Sequence, residues 1–408
     1  MMKNKLNYIA LLVFLVLASC DEQPEKDSIN QADELIAQTS EKYAPDSRVA
    51  LFDIEAVING ESYTLKGESN LPDAVEDLKQ KLKAENISFA DSIHMLPDDK
   101  SLEGKTMGIV KISVANLREE PKHSSQLVTQ ATLGTPVKIW KRTEEWYYIQ
   151  TPDGYLSWVD HGGITTMDKN DFDTWKSSEK IIFKSAYGQS FKEASKNSQP
   201  VSDIVAGSVF EFEAAANDFY KVSYPDGREA FIVKDESAIY SEWLSDLQAS
   251  EEDLVQTSSK LMGLPYLWGG TSSKGVDCSG FTKTIYFMNG VVIPRDASQQ
   301  IREGKLIDSS GTFENLAVGD LLFFGRPATD STSERVVHVG MWIGNNEFIH
   351  SSGDVHISSM DENAENFDEF NRGRYLRTKR YLGQQSEGLT YLKEKNIFLT
   401  QEKDTLVN

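Results

Sequence analysis

The sequence predicts a multidomain chain: a small α+β unit and two tandem all-β barrels ahead of a larger α+β domain. Three observations lead there. The 408 residues are enough for two to four domains at roughly 100–200 residues each. Short alternating strands broken by turns occur twice, with a repeat of about 70 residues. The last third of the chain instead mixes a helical pattern after Cys278 with strands that carry spaced histidines.

The elements follow in order. Residues 1–20 begin with Lys3 and Lys5 before an apolar run from Tyr8 to Ala18. A charged start and about a dozen apolar residues fit an export signal and are too short for a comfortable membrane span. The run ends Leu17-Ala18-Ser19-Cys20, which resembles a bacterial lipobox. That implies lipidation of Cys20 and an exported lipoprotein held at a membrane, on the periplasmic side or at the cell surface. Residues 21–46 read as an acidic, polar tether with a short helix over Asp33 to Lys42.

Residues 47–104 form the α+β unit. Val49–Ala56 and Glu61–Lys66 flank an Asn59-Gly60 hairpin turn, and Ala74, Leu78 and Leu82 mark an amphipathic helix. In residues 105–165, five short strands are expected: Gly108–Ser113, Gln126–Thr129, Thr135–Lys141, Trp146–Gln150 and Gly154–Val159. Residues 166–243 echo them, with Tyr220–Tyr224, Pro225-Asp226-Gly227 and Glu229–Val233 repeating Trp146–Gln150, Pro152-Asp153-Gly154 and Tyr155–Val159. Residues 244–385 form the last domain, and 386–408 a C-terminal tail.

Composition limits the function. Lys and Arg number 42 against 63 Asp and Glu, a net charge of −21. An acidic chain has no cationic excess to displace counterions from phosphates, so nucleic acid is not a partner. Two cysteines exclude a disulfide framework and a four-cysteine zinc site. With Cys20 lipidated, Cys278 is a lone thiol in an exported protein. No cofactor or metal is called for, and a monomer is expected.

Cys278 lies at the start of a helical pattern in which Phe281, Thr284, Ile285 and Met288 share a face and Asn289-Gly290 ends the run. A helix N-terminus favours the thiolate, the nucleophilic form. A base is then needed. Val336–Ile343 alternates as a strand, placing His338 with Gly340 and Trp342 and pointing Val337, Val339, Met341 and Ile343 to the core. His350 follows the Gly344-Asn345-Asn346 turn. Paired opposite Gly340, it is diagonal to His338, roughly 7–8 Å away by Cα. This needs an odd loop or a bulge, because an even loop sends the two rings to opposite faces. His338 is then the general base and acid, and His350 orients it. The competing Cys/His/His zinc site has no second cysteine or carboxylate pair to support it. His94, His123, His161 and His356 are expected at the surface.

Two resemblances sharpen this. Val114–Pro121 with Asn116-Leu117-Arg118, Leu133-Gly134-Thr135, and Gly154-Tyr155 through Trp158-Val159 resemble bacterial Src-homology-3-type domains. Tyr266-Leu267-Trp268-Gly269-Gly270, Asp277-Cys278-Ser279-Gly280-Phe281, Pro294-Arg295, Gly319-Asp320, His338-Val339-Gly340 and Phe348-Ile349-His350 resemble the NlpC/p60 family of papain-like cysteine peptidases. The one departure noted is Val318, where the family often has Pro.

The second resemblance implies a papain-like fold and hydrolysis of bacterial wall stem peptides. The tandem barrels are similar to those of the γ-D-glutamyl-L-diamino acid endopeptidase subgroup. That implies cleavage beside γ-D-Glu in released peptides with a free N-terminal L-Ala, and a role in peptide recycling. By motif position, Glu120 and Tyr155 would hold the amine, with Glu119 the nearest rival of Glu120. Tyr266, Asp277, Ser279 and Ser298 would line the substrate, and Arg295 would meet a substrate carboxylate or serve a structural pair. A general wall hydrolase, a non-catalytic wall-binding lipoprotein and an acyl transferase are the alternatives.

Overall fold

The computed structural model describes residues 31–59 and 62–400. Cys20 with its lipobox, and Gly60 of the expected hairpin turn, lie outside the described residues.

The N-terminal unit is a three-stranded sheet of Phe52–Asn59, Ser62–Ser69 and Phe89–Met95. The first two strands are antiparallel, and the third runs parallel to the second. A parallel pair needs a crossover. Helix Pro72–Ala84 supplies it, with proline in its first turn and Ala74, Val75, Leu78 and Leu82 buried. Helix Gln31–Tyr43 packs onto the same core through Ala32, Leu35 and Ile36. The short helix expected over Asp33 to Lys42 is thus present, as Gln31–Tyr43, and it packs into this unit instead of standing in a free tether.

The first barrel has seven strands, not five: Met107–Val110, Val114–Arg118, Leu127–Thr132, Pro136–Arg142, Trp146–Gln150, Leu156–Asp160 and Ile164–Met167. Val114–Arg118 escapes the alternation pattern because adjacent Val114 and Ala115 are both buried. Ile164–Met167 is only four residues long and follows a 3-10 turn. The second barrel runs from Lys180–Phe183 to Ser237–Ile239. Counted along the chain, both barrels have the sheet order 7-1-4-5-6-2-3. The internal repeat is thus a repeat of topology.

The last domain is a six-stranded antiparallel sheet with helix Cys278–Met288 packed on it. Its central hairpin is Arg335–Gly344 and Glu347–Ser352, flanked by Leu321–Arg326 and Asp354–Ser359. Both sheet faces are covered. One carries Phe281, Ile285, Val339, Met341 and Ile349, the other Leu322, Phe324, Trp342 and Phe348.

The first barrel docks on this domain through buried polar contacts. The Gln130 side chain accepts from Thr271 N–H at 3.1 Å and Ser272 Oγ at 2.9 Å, and Thr271 Oγ1 donates to the Gln130 carbonyl at 2.8 Å. Lys283 pairs with buried Asp153 at 2.8 Å.

The tail expectation is corrected for residues up to 400. Thr390–Tyr391 pairs with Val291–Val292, and Leu392 and Phe398 are buried with Trp175, Tyr240 and Trp243. Burial of these apolar side chains ties the second barrel to the catalytic domain.

Candidate active site

Asp277 caps the helix that starts at Cys278, accepting from Gly280 N–H at 2.7 Å. The helix can lie this close because residue 280 is glycine. A Cβ there would sit 1.9 Å from the Gly270 carbonyl oxygen. Asp277 also accepts from Gly269 N–H at 2.9 Å and from Arg295, through Nη2 at 2.6 Å and Nη1 at 3.1 Å. Arg295 donates further to Ser279 Oγ at 2.9 Å and is buried. Its guanidinium thus serves a structural pair inside the site.

His338 Nε2 lies 2.7 Å from His350 Nδ1, and His350 Nε2 lies 3.1 Å from Ser358 Oγ. These contacts can run in either direction, and one of the two leaves a proton acceptor on His338 for the thiol. In that tautomer chain, His350 donates from Nε2 to Ser358 and accepts at Nδ1 from His338 Nε2–H. His338 Nδ1 is then left free as the acceptor for a thiol proton. Cys278 lies against the same strand, with the Val339 backbone N–H directed at its sulfur.

The hairpin solves the parity requirement with a two-residue turn and a bulge. Asn345 and Asn346 form the turn at positive φ, and the register shifts between Trp342 and Gly344. His350 and His338 therefore share a face. Gly340 makes room for this, since a Cβ there would meet Phe348 Cδ2 at 2.6 Å and His350 Cβ at 3.1 Å.

One sequence expectation changes here, and another is sharpened. Val337 does not face the core. A register shift in the pairing of Phe324 and Gly325 with His338 and Val336 leaves it half-exposed on the cleft. His356 is partly exposed, as expected, but is not a bystander: its ring meets that of His350 edge-on at 4.5 Å, and its Nδ1 donates to Asp354 Oδ1 at 2.9 Å.

The protonation of the dyad also departs from the helix-dipole argument. Burial, followed by the Asp277 charge, pushes the Cys278 thiol up to about 12, against the Val339 and Ser279 N–H groups that lower it. Burial, then His350, pulls His338 well below the usual histidine range. Burial, then His356, takes His350 down to about 4. Desolvation opposes the helix terminus and favours the neutral thiol and the neutral imidazole. Such a pair reacts by proton transfer to His338 as the sulfur attacks.

Cys278 opens into a cavity of about 660 Å³ between the first barrel and the catalytic domain. Tyr155, Tyr266, Asp277, Ser279 and Ser298 all line it, with Trp268 63 % exposed at its wall. Glu120 does not line it. The Glu120 carboxylate turns to Lys122, and Glu119 lines the cleft in its place. Among the described residues, Glu119 and Arg335 are the cleft charges without an ion-pair partner, since Arg295 pairs with Asp277 and Arg48 with Asp296. Sequence reading missed Arg48, Asp296, Arg335 and Ser358, none of which stands in a motif.

Comparison with known proteins agrees with this geometry. Residues 263–369 match the NlpC/P60 family, and residues 113–165 match the bacterial SH3 domain. A γ-D-glutamyl-L-lysine dipeptidyl-peptidase of Bacillus cereus is 30% identical over 249 residues, covering 56% of this chain and 68% of that one. Dipeptidyl-peptidase 6 of Lysinibacillus sphaericus is 28% identical over 62% of this chain and 92% of its own. A crystal structure of an NlpC/P60 family protein from Bacillus cereus superposes with a TM-score of 0.58 at 25% identity, covering 68% of this chain and 99% of that one.

Proposed function

This chain belongs to the NlpC/P60 family of cysteine peptidases, and we propose that it hydrolyses the bond between γ-D-Glu and the diamino acid of stem peptides with a free N-terminal L-Ala. The carrying observation is that Glu119 and Tyr155 of the first barrel line the cavity into which Cys278 opens.

Cys278 Sγ attacks the γ-carbonyl carbon of D-Glu while His338 Nδ1 takes the thiol proton. The positive end of the helix stabilises the oxyanion. Collapse of the tetrahedral intermediate breaks the C–N bond, and His338 returns the proton to the departing amine. Water then attacks the thioester with His338 as base, which releases L-Ala-γ-D-Glu and the free thiol. His350, held by Ser358, keeps His338 in the required tautomer.

The unpaired cleft charges suit such a substrate. Glu119 takes the L-Ala ammonium beside Tyr155, and Arg335 takes a substrate carboxylate. A blocked amine would leave Glu119 facing an uncharged group. Free-amine specificity restricts the enzyme to released peptides, which is the basis for a recycling role. The lipobox adds anchoring through Cys20 outside the cytoplasm, and the monomeric state is part of the same reading.

The test is product identification. L-Ala-γ-D-Glu-L-Lys and L-Ala-γ-D-Glu-meso-diaminopimelate are incubated with wild type and with Cys278→Ala. Release of L-Ala-γ-D-Glu by wild type alone supports the proposal. Cleavage elsewhere in the peptide sinks it.

A further inference from the structure

The segment between helix Gln31–Tyr43 and strand Phe52–Asn59 runs between the first barrel and the catalytic domain. Its backbone is fastened to the barrel. The Arg48 carbonyl accepts from Leu156 N–H at 2.7 Å, and the Val49 carbonyl accepts from Gln150 Nε2 at 2.9 Å. Its side chains are fastened to the catalytic domain. Arg48 Nη1 donates to Asp296 Oδ2 at 2.6 Å and to Ser298 Oγ at 3.0 Å. Asp46 grips the other edge of the guanidinium, accepting from Nε at 2.8 Å and Nη2 at 2.7 Å, and takes Gln299 Nε2 at 3.0 Å.

Four of the five guanidinium N–H donors are thereby engaged. With two carboxylates on it, Arg48 has no free charge to offer a substrate anion. It is built as a fixed wall. Ser47 and Arg48 both line the catalytic cavity, and Tyr155 donates to the same Asp296 oxygen at 3.2 Å. The wall therefore stands at the end of the cleft where the substrate amine is placed above.

We propose that Asp46 and Arg48 of the N-terminal unit are specificity-determining positioning residues, which close the amino end of the cleft and admit an unsubstituted N-terminal residue but not a peptide acylated on its amine. The inference rests on the free-amine reading and deepens it. Discrimination is assigned to a wall from outside both the barrel and the catalytic domain, in addition to the Glu119 charge. Removing the wall opens space for an acyl group and frees Asp296 and Ser298 to move.

The test uses the full chain as wild type, Arg48→Ala, Arg48→Lys and Asp46→Ala, each checked by thermal melting. The readout is kcat/KM for L-Ala-γ-D-Glu-L-Lys and for its N-acetyl form. Wild type should strongly prefer the free amine. In Arg48→Ala the ratio of acetylated to free kcat/KM should rise about tenfold or more, through a lower KM for the acetylated peptide. Arg48→Lys, which keeps the charge but loses the two-point grip on Asp46, should fall between. Asp46→Ala should move the ratio the same way.

A selective wild type, with the ratio in folded Arg48→Ala and Asp46→Ala variants within about twofold of it, overturns the wall and leaves the free-amine reading standing. Wild type that cuts both peptides equally overturns both. If Arg48→Ala fails to fold, Asp46→Ala and Arg48→Lys decide by the same criterion.

Discussion

Breaking the buried Asp277–Arg295 pair from its two sides should give unequal losses, and breaking both should restore part of the stability. Arg295 is 1 % exposed and hydrogen-bonds Asp277 and Ser279, with the Asp296 carboxylate farther off at 4.0 Å. Its Nε has no partner among the described residues. Asp277→Ala thus strips the buried guanidinium of its hydrogen-bonded carboxylate and leaves it only the more distant Asp296, about 3–5 kcal/mol, and also removes the cap of the nucleophile helix, about 1 kcal/mol. The sum is about 4–6 kcal/mol.

Arg295→Met is milder, about 3 kcal/mol, because Asp277 keeps the Gly269 and Gly280 N–H groups and the Ser279 hydroxyl. The double variant buries no unpaired charge and should be more stable than Asp277→Ala alone. Urea denaturation followed by tryptophan fluorescence measures this. With several cores in the chain, midpoints are compared instead of extrapolated free energies. At an m-value of about 2 kcal/mol/M, Asp277→Ala should lower the midpoint of the catalytic domain by roughly 2–3 M, and the double variant by less. A double variant as unstable as the sum of the singles would refute the argument, because the charges would then be independent.

Other consequences concern the dyad. Gly340→Ala adds a Cβ where Phe348 and His350 already sit, so it should cost about 1–3 kcal/mol and lower kcat about 100-fold while binding persists. Steady-state kinetics with unchanged kcat would contradict this. Ser358→Ala should lower kcat roughly tenfold, the worth of one orienting hydrogen bond, with KM little changed and activity restored in Ser358→Thr. A changed KM with wild-type kcat would remove Ser358 from the proton chain.

The neutral dyad fixes the pH behaviour. Its histidine pKa values lie below the unfolded value of 6.5, with His350 at about 4. The unfolded chain then binds more protons in that window, so stability is lost as pH falls from about 6.5 towards about 4. The acid limb of kcat/KM should lie below the usual histidine range for the same reason. Cys278 alkylation by iodoacetamide should rise with pH without a shoulder near pH 5, and such a shoulder would mean a preformed thiolate–imidazolium pair.

How much of this was legible in sequence depends on how local each signal is. Cys278 and its helix could be read because Asp277, Gly280 and the apolar face are neighbours along the chain. His338 and His350 could be read from strand alternation and one short turn. The bulge beside Ile343 could be stated only as a requirement, since a bulge is set by pairing across strands.

Glu119 and Glu120 could not be separated for a related reason. Their strand ends at Arg118, and alternation fixes no side-chain direction in the turn beyond it. There Glu119 N–H reaches the Gln126 carbonyl, while Glu120 folds back to Lys122. The thiol shift was misjudged because helix position is local and burial is not. Arg48 was invisible, since its partner Asp296 lies 248 residues away and no periodicity encodes that meeting. The identical strand order of the two barrels was foreshadowed by the Pro-Asp-Gly turns at 152–154 and 225–227 and by the strands on either side of each.

The central claim is that Cys278 cuts beside γ-D-Glu only when the L-Ala amine is free. The most direct measurement compares hydrolysis of L-Ala-γ-D-Glu-meso-diaminopimelate with the same peptide acetylated at its N-terminus, using wild type and Cys278→Ser. The account predicts cleavage of the free-amine peptide by wild type alone. Equal cleavage of both peptides, or turnover that survives in Cys278→Ser, would contradict it.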